Sequence, residues 1–277
     1  MTDHDLRTEQ VSLGYGDHTV VDSLDLVVPQ GRVTAIVGAN ASGKSTLLRG
    51  LARLLKPSSG RVLLDGTSVQ DLRTLDVAKL LALLPQTPVA PDGITVADLV
   101  GRGRYPHQGW FRRWSSDDDT AVARALEATG TAELADRPVA ELSGGQRQRV
   151  WVAMALAQET DLLLLDEPTT YLDINHQVEL LDLLTELNRD RGTTIVIVLH
   201  DLNLAFRYAH HLVAMKDGRI VAEGAPGDIV TTDLVTDVFG LSCRVVPCPV
   251  SGAPLVVPLT RQDLVPPVGL EPTLKGF

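Results

Sequence analysis

Hydrophobic residues along this chain occur in two patterns, and each pattern predicts a different kind of element. Short continuous apolar runs, typical of buried strands, cover residues 33–37, 80–85, 162–165 and 193–199. Apolar residues at helical spacing follow the first and the last of these runs, and helices are also predicted at about 117–129 and 142–158. Strands that alternate with helices in this way predict an α/β fold.

Strict alternation of apolar and polar residues marks a different region, from about residue 10 to residue 29. This pattern predicts two antiparallel strands joined through Gly16, Asp17 and His18. Further strands are expected at 60–66, on both sides of the turn at 217–219, at 244–246 and at 255–257.

The stretch from 87 to 140 changes character, because a Pro-rich turn is followed by mainly helical segments. It is interpreted as a helical subdomain inserted between two strands of the fold. We therefore expect a catalytic core with an antiparallel β subdomain (1–86 and 141–258), a helical insert (87–140) and a flexible Pro-rich tail (259–277).

A glycine-rich stretch lies between the first buried strand and the first helix, and it fits the phosphate-binding pattern G-x-x-x-x-G-K-[ST]. Its residues are Gly38, Ala39, Asn40, Ala41, Ser42, Gly43, Lys44, Ser45 and Thr46. A turn that opens a helix directs several backbone N–H groups at one point, where a polyphosphate can bind. In such a loop Lys44 reaches the β- and γ-phosphates and the Ser45 hydroxyl ligates Mg²⁺. Because strand, loop and helix follow in order, nucleotide binding is favoured over a chance match.

Polar residues stand directly after three of the predicted buried strands, at the strand ends where ligands bind in α/β folds. Asp166 and Glu167 follow one strand, and we expect Asp166 to hold Mg²⁺ through water and Glu167 to accept a proton from an attacking water. His200 follows another strand, and this setting favours a functional role over a structural one. Gln86 follows a third, where a lone glutamine is usually only the polar end of a strand.

Two further features suggest contacts with a nucleotide. Tyr15 lies at the first predicted turn, where its ring could stack on a base, although an ordinary packing role is the simpler interpretation of its position alone. A second helix start combines an N-cap serine with two glycines, a costly choice that suits close approach to an anion. No lysine or magnesium ligand accompanies it, so it looks like half of a site. Its residues are Ser143, Gly144, Gly145 and Gln146.

Composition excludes some classes of function. The net charge of −10 argues against nucleic acid as the main partner. One short basic stretch with aromatic residues is interpreted as a solvated protein-contact surface, because the acidic run 117–119 follows it; it comprises Arg102, Arg104, Tyr105, Trp110, Arg112, Arg113 and Trp114. The two cysteines, Cys243 and Cys248, are expected to be reduced thiols. No signal peptide or membrane span is predicted, so any work at a membrane is expected to proceed through a partner.

Together these stretches resemble the ATP-binding subunits of ABC transporters, from Tyr15 to about residue 258. The resemblance implies a P-loop NTPase core of the RecA type, with an N-terminal antiparallel β subdomain and an inserted α-helical subdomain. Residues 38–46 look like Walker A, residues 162–167 like Walker B, and residues 142–146 like the ABC signature. Residues 171–173 correspond to the D-loop, Gln86 to the Q-loop glutamine, His200 to the switch histidine and Tyr15 to the aromatic that stacks on adenine.

The same resemblance implies the roles of these residues in ATP hydrolysis. Glu167 would orient and deprotonate water, and His200 would contact the γ-phosphate. The implied ligands of Mg²⁺ are Ser45, Gln86 and Asp166. A second copy of the chain would pair head to tail, so that Ser143 and Gly145 of each copy cover the ATP bound by the other.

A finer similarity is to the importers of ferric siderophores, within the group that also handles haem and vitamin B12. Residues 101–107, 169–177, 198–203 and 252–258 carry it. It implies two membrane permeases as direct partners, an external binding protein as an indirect one, and a peripheral place on the cytoplasmic face of a bacterial membrane. Haem, cobalamin and metal ions such as zinc or manganese remain open as cargo. A soluble ABC ATPase of translation, DNA repair or iron–sulfur assembly is disfavoured by the single set of motifs and the lack of heptads.

Overall fold

Strands and helices alternate along the part of the chain that the computed structural model describes, residues 4–108 and 114–260. The strands are β1 (Leu6–Tyr15), β2 (His18–Val27), β3 (Val33–Gly38), β4 (Ser59–Leu64), β5 (Thr67–Ser68), β6 (Leu81–Leu84), β7 (Leu162–Asp166), β8 (Thr194–Val198), β9 (His211–Lys216), β10 (Arg219–Gly224), β11 (Cys243–Pro247) and β12 (Pro254–Pro258). The α-helices are α1 (Lys44–Leu51), α2 (Thr74–Leu80), α3 (Val96–Gly101), α4 (Ser116–Ala128), α5 (Gly144–Ala157), α6 (Ile174–Arg191), α7 (Leu202–Tyr208), α8 (Pro226–Ile229) and α9 (Thr232–Phe239). The predicted α/β class is confirmed. Trp110, Arg112, Arg113 and most of the predicted tail lie outside the described residues.

The larger sheet places the ends of the buried strands at one edge. Its strand order is β10-β9-β3-β8-β7-β6. All adjacent strands from β9 to β6 are parallel, and β10 pairs antiparallel with β9. Every residue of β3, β7 and β8 is buried, as expected for apolar runs covered on both faces. Because parallel strands end on the same side, Gly38, Asp166 and the residues after Val198 are brought together.

A smaller antiparallel sheet has the order β2-β1-β4-β5 and confirms the expected N-terminal β subdomain. Two of its predicted boundaries were wrong. Strand β1 begins at Leu6 rather than near Gln10, because the pairing shifts register between Thr8 and Val11 and breaks the two-residue period. Gln10 lies within this irregularity and has a φ of +46°. The turn consists of residues 16–17, since His18 already pairs with Tyr15.

Helices also occupy the region predicted as an insert. α3, the 3-10 turn Arg102–His107 and α4 lie there, and α5 packs against both α3 and α4. The interpretation of the basic stretch as a solvated surface was wrong for Arg104. Arg104 and Asp118 are buried and form an ion pair with 3.0 Å between Nε and Oδ1. An arginine and an aspartate this deep in a protein are normally paired.

Two hydrophobic layers cover the large sheet, one on each face. Alternate residues of β3 belong to opposite layers, with Val33, Ala35 and Val37 on one side and Ile36 on the other. The first layer includes residues of α3, α5 and α7, and the second joins α1 to the small sheet. The sequence does not predict helix α2, and the predicted strand at 80–85 was wrong at its first residue, because Leu80 ends this helix.

A hairpin of β11 and β12 ends the described chain, close to the positions predicted for two strands. Cys243 is buried in it, Cys248 is half-buried, and both thiols are free. None of the helices in the described ranges has the combined length and apolarity that a membrane crossing requires.

Candidate nucleotide-binding site

The glycine-rich loop joins β3 to α1 and can be formed only with small residues at particular places. A Cβ on Gly38 would lie 2.3 Å from the carbonyl oxygen of Met215, so that any larger residue would push β9 away. Gly43 precedes α1 with a φ of +98°, a conformation that L side chains rarely adopt. Because α1 begins at Lys44, the amide groups of its first turn lack partners inside the helix. The loop thus combines unpaired amides with the positive end of a helix.

Lys44 lies folded over this loop. Its Nζ atom donates hydrogen bonds of 2.9 Å to the carbonyl oxygens of Gly38 and Ala39. Burial lowers the pKa of the Lys44 ammonium group, and the carboxylates of Glu167 and Asp166 oppose this effect. The side chain is therefore a buried donor held by weak neutral acceptors at the centre of the loop.

Ser45 and Asp166 form a pair of oxygen donors below the loop. The Ser45 hydroxyl donates to Oδ1 of Asp166 at 2.9 Å, and Asp166 is buried at the end of β7. Burial raises the pKa of Asp166, although the hydrogen bond from Ser45 works in the other direction. Hydroxyl and carboxylate oxygens suit Mg²⁺, which typically binds to one or two protein groups and to the phosphates of its substrate. Among the described residues no cluster of three or more His, Cys, Asp or Glu side chains is arranged to hold a metal ion.

Glu167 is the meeting point of three strand ends. Gln86, after β6, donates from Nε2 to Oε2 of Glu167 at 2.8 Å. The Nε2 atom of His200, after β8, lies 2.6 Å from Oε1 of the same carboxylate. Glu167 is itself buried and has a φ of +54°, a strained backbone of the kind that clusters at functional sites. The structure therefore brings all three predicted catalytic residues into direct contact.

An open cavity of about 580 Å³ lies over the loop and this cluster. It is lined by His18, Val20, Asn40, Ala41, Ser42, Gly43, Lys44, Ser45, Thr46, Gln86, Glu167 and His200. The Ser42 hydroxyl is buried at the loop without a hydrogen-bond partner among the described residues, and a phosphate oxygen would provide one. The loop and the oxygen pair thus fit a nucleotide polyphosphate with Mg²⁺.

The predicted base-stacking residue lies outside this lining. Tyr15 is half-exposed at the end of β1, and its hydroxyl accepts a hydrogen bond of 3.0 Å from Nη1 of Arg49. His18 and Val20 line the cavity instead and were not predicted. The sequence does hold a signal for them, because they lie two residues apart on the strand after the turn and therefore share one face of it. A second cleft, of about 480 Å³ between α4 and α6, contains none of the predicted residues.

The second predicted anion site is separate from the cavity. Ser143 caps α5 by accepting a hydrogen bond of 3.2 Å from the backbone N–H of Gln146, whose Oε1 in turn accepts from the backbone N–H of Ser143 at 3.1 Å. This reciprocal arrangement is a capping box. Gly144 and Gly145 face Tyr171 and are also absent from the cavity lining. Within one copy of the chain these four residues do not reach the loop.

A strand, a phosphate loop and strand-end carboxylates arranged in this way define a P-loop nucleotide-binding protein. Residues 21–170 match the family model described as ABC transporter. The chain belongs to the ABC transporter family, as one of its ATP-binding subunits, and the predicted family and fold are confirmed. Subunits of this kind are ATPases that power transport.

Individual proteins similar to this chain include transport subunits of two bacteria. It is 59% identical over 256 residues to "Probable siderophore transport system ATP-binding protein YusV" of Bacillus subtilis (strain 168), covering 92% of this chain and 93% of that protein. It is 56% identical over 256 residues to "Ferric enterobactin transport ATP-binding protein FepC" of Escherichia coli (strain K12), covering 92% and 94%. A solved dimeric structure of MJ0796, a bacterial ABC transporter cassette, is similar with a TM-score of 0.73 and 28% identity, covering 79% of this chain and 98% of that one.

Proposed function

We propose that this chain hydrolyses ATP to drive the import of a ferric siderophore through a membrane ABC transporter. The observation that carries the catalytic part is the position of Glu167, a buried carboxylate in contact with Gln86 and His200 at the rim of the cavity. The cargo is supported by the names of the two relatives given above, which both concern siderophore transport.

Binding would involve the loop first. The amide groups in the first turn of α1 and the Ser42 hydroxyl would bind the phosphates of ATP, and Lys44 would exchange its two carbonyl acceptors for phosphate oxygens. Mg²⁺ neutralises phosphate charge when it is bound. The residues that would hold it are Ser45, Asp166 and Gln86.

Hydrolysis requires a base near the γ-phosphate, and Glu167 fits this role. Its carboxylate is oriented on one oxygen by Gln86 and on the other by His200, so that it would take a proton from a water molecule aligned for attack. His200, about half-exposed at the cavity, would then contact the γ-phosphate and stabilise the charge that develops on it.

A second copy of the chain would complete the site. Ser143, Gly144, Gly145 and Gln146 lie outside the cavity of their own copy, and MJ0796 forms a dimer. We infer a head-to-tail pair in which each signature helix approaches the ATP of the other copy. The exposed side chains of Val89, Tyr105 and Trp114 would contact two membrane permeases served by an external binding protein. The subunit would then work on the cytoplasmic face of a bacterial membrane.

The catalytic proposal is tested by substituting Glu167 in the purified full-length protein. Glu167→Gln keeps the size of the side chain and removes the base, so we expect turnover to fall by roughly 10²- to 10⁴-fold, or about 3–5 kcal/mol of barrier. Glu133→Gln is the matched control, because Glu133 is exposed and does not line the cavity. If Glu167→Gln hydrolysed ATP as fast as the wild type, Glu167 would not be the catalytic base.

The cargo is tested by uptake in a strain that lacks the gene. Radiolabelled ferric enterobactin and ferric hydroxamate complexes would be supplied to cells carrying wild type, Glu167→Gln or Glu133→Gln. We expect uptake of at least one complex with wild type and Glu133→Gln only. Undiminished uptake in the deletion strain would leave the ATPase proposal intact and direct the cargo question to haem, cobalamin and metal ions.

A further inference from the structure

The C-terminal hairpin contacts α7, the helix that begins two residues after His200. Strand β12 packs against α7, and Val256 of β12 is buried in the same hydrophobic layer as Ala205 and Phe206 of α7. The family model matches only residues 21–170, so neither α7 nor the hairpin falls within it. The contacts of the hairpin with α7 are therefore the evidence for its role.

A single side chain of α7 pairs with the outer edge of the hairpin. The backbone N–H of Val256 donates to Oδ1 of Asn203 at 2.8 Å, and Nδ2 of Asn203 donates to the backbone oxygen of Val256 at 3.3 Å. An amide side chain has an NH₂ group that donates and an oxygen that accepts, so it can take the place of the backbone N–H and C=O groups of one residue of a neighbouring strand. Asn203 thus joins α7 to β12 as a strand partner would.

The sequence of β12 makes this contact specific. In the antiparallel pairing with β11, Leu255 lies opposite Val246 and Val257 opposite Arg244, whereas Val256 directs its backbone groups away from β11. The residues of the same orientation on either side, Pro254 and Pro258, have no N–H group. Val256 therefore presents the one outward N–H group of β12, and Asn203 accepts its hydrogen bond.

His200 lies between two fixed points on the chain. On one side Leu199 donates its backbone N–H to the carbonyl oxygen of Ile36 in β3 at 3.3 Å. On the other side Asp201 caps α7 by accepting from the N–H of Leu204 at 2.9 Å, and Asn203 is held by the hairpin. A shift of α7 would move the second fixed point and with it the ring that contacts Glu167.

We propose that Asn203 is a positioning residue, through which the β11–β12 hairpin holds α7 and keeps His200 against Glu167. This inference rests on the proposed role of His200 in hydrolysis. It gives the β11–β12 hairpin an indirect role in hydrolysis, through the position of His200. Misplacing a catalytic group by about 1 Å can reduce turnover by about 10²-fold, so the expected effect lies on kcat.

The test compares variants of the purified full-length protein across a range of ATP concentrations. For Asn203→Ala we expect kcat to fall by about 10- to 100-fold while KM for ATP stays within about twofold, because the phosphate loop is untouched. Asn203→Asp keeps the acceptor for the N–H of Val256 and loses the donor to its carbonyl oxygen. We expect its kcat to lie between those of the wild type and Asn203→Ala. It also serves as the test if Asn203→Ala does not fold.

The matched control is Thr232→Ala, which loosens the same hairpin from a different helix. Thr232 Oγ1 accepts a hydrogen bond of 3.3 Å from the N–H of Val245, and its loss leaves α7 untouched. We expect this variant to lower Tm about as much as Asn203→Ala and to keep the wild-type kcat. An equal fall of kcat in both variants would mean that Asn203 only stabilises the fold.

A double variant tests whether the effect passes through His200. In a His200→Ala background, we expect Asn203→Ala to cause no further loss of kcat. A further 10- to 100-fold loss there would overturn the proposal even if the single variants behave as expected. Failure of the proposed function itself would be recognised separately, since Glu167→Gln would then hydrolyse ATP like wild type.

Discussion

The buried ion pair between Arg104 and Asp118 allows a quantitative test of how the helical region is stabilised. Only 6% of the Arg104 side chain and 1% of the Asp118 side chain are exposed, and their atoms meet at 3.0 Å. Arg104 also donates to the carbonyl oxygen of Ala157 at 2.7 Å and to Glu159 at 3.0 Å. Asp118 accepts from the N–H and the hydroxyl of Ser115, which caps α4. The pair thus connects the 3-10 turn, α4 and the end of α5.

Replacing Arg104 by Met would leave the charge of Asp118 buried and without its ion-pair partner. Breaking a buried pair on one side costs about 3–5 kcal/mol, a large part of the roughly 5–15 kcal/mol by which domains are stable. Glu159 contributes less to this cost, because 34% of its side chain is exposed and can return to water. Adding Asp118→Asn removes the stranded charge, and an asparagine can still accept from Ser115. The double variant should recover most of the loss.

The pH dependence of this pair has a definite sign. Burial raises the pKa of Asp118, but hydrogen bonds from Arg104 and Ser115 outweigh it and leave the pKa below its ordinary value. A carboxylate with a lowered pKa in the folded state stabilises the fold above its unfolded pKa, near 4. That stability is lost as pH falls below about 4 and through the lowered folded value. The contribution of the pair is therefore fully present at neutral pH.

The assay is urea unfolding at pH 7, followed by tryptophan fluorescence, to which the buried Trp151 in α5 contributes. The matched control is Arg73→Met, since Arg73 forms a 2.7 Å pair with Asp76 while 82% of its side chain is exposed. Exposed pairs contribute little, so this variant should unfold at the wild-type urea concentration. If Arg104→Met also unfolds there, or if Asp118→Asn deepens its loss, the reasoning from burial is wrong.

Two further predictions concern a thiol and the base of the nucleotide. Hydrogen bonds from Ser251 lower the pKa of Cys248 to about 7, so its alkylation by iodoacetamide, followed by mass spectrometry, should be half-maximal near pH 7 while the buried Cys243 stays unlabelled. Ser251→Ala should move this midpoint upward, and an unchanged midpoint would contradict the assigned cause. If Tyr15 stacks on adenine at about 1–3 kcal/mol, Tyr15→Ala should raise KM for ATP roughly 5- to 150-fold and Tyr15→Phe should not. If His18, which lines the cavity, recognises the base instead, His18→Ala will show the larger rise.

The parts of the site that the sequence predicts are those governed by strand direction. Asp166 and Glu167 follow one buried apolar run and His200 follows another, and parallel strands end at one edge, so the proximity of these side chains follows from topology alone. The phosphate loop follows from local chemistry, because Gly38 and Gly43 occupy positions that larger residues cannot fill. Both signals, the apolar runs of the strands and the glycines of the loop, are local, because each is contained in a few neighbouring residues.

Contacts between distant or irregular segments could not be predicted in this way. The basic stretch around Arg104 looks solvated by composition, and only the packing of α4 shows that Asp118 lies against it. The irregular register in β1 hides the start of that strand, since the apolar period is interrupted at Gln10. The hydrogen bond between Asn203 and Val256 involves a backbone N–H group, which nearly every residue type has, so the identity of Val256 does not reveal it.

The two groups in contact at the centre of the site are held by different physical means. Glu167 is fixed locally, by its left-handed backbone and by a backbone hydrogen bond of 3.2 Å from its N–H to Val198, inside a sheet that cannot move far. His200 is half-exposed and stands at the start of a short helix, so its position depends on what that helix packs against. Because the Glu167 carboxylate is fixed in the sheet and His200 precedes a separately supported helix, the position of the histidine can change without disturbing the sheet. Control of hydrolysis through α7 is therefore physically easier than control through β7, because it requires no rearrangement of the core.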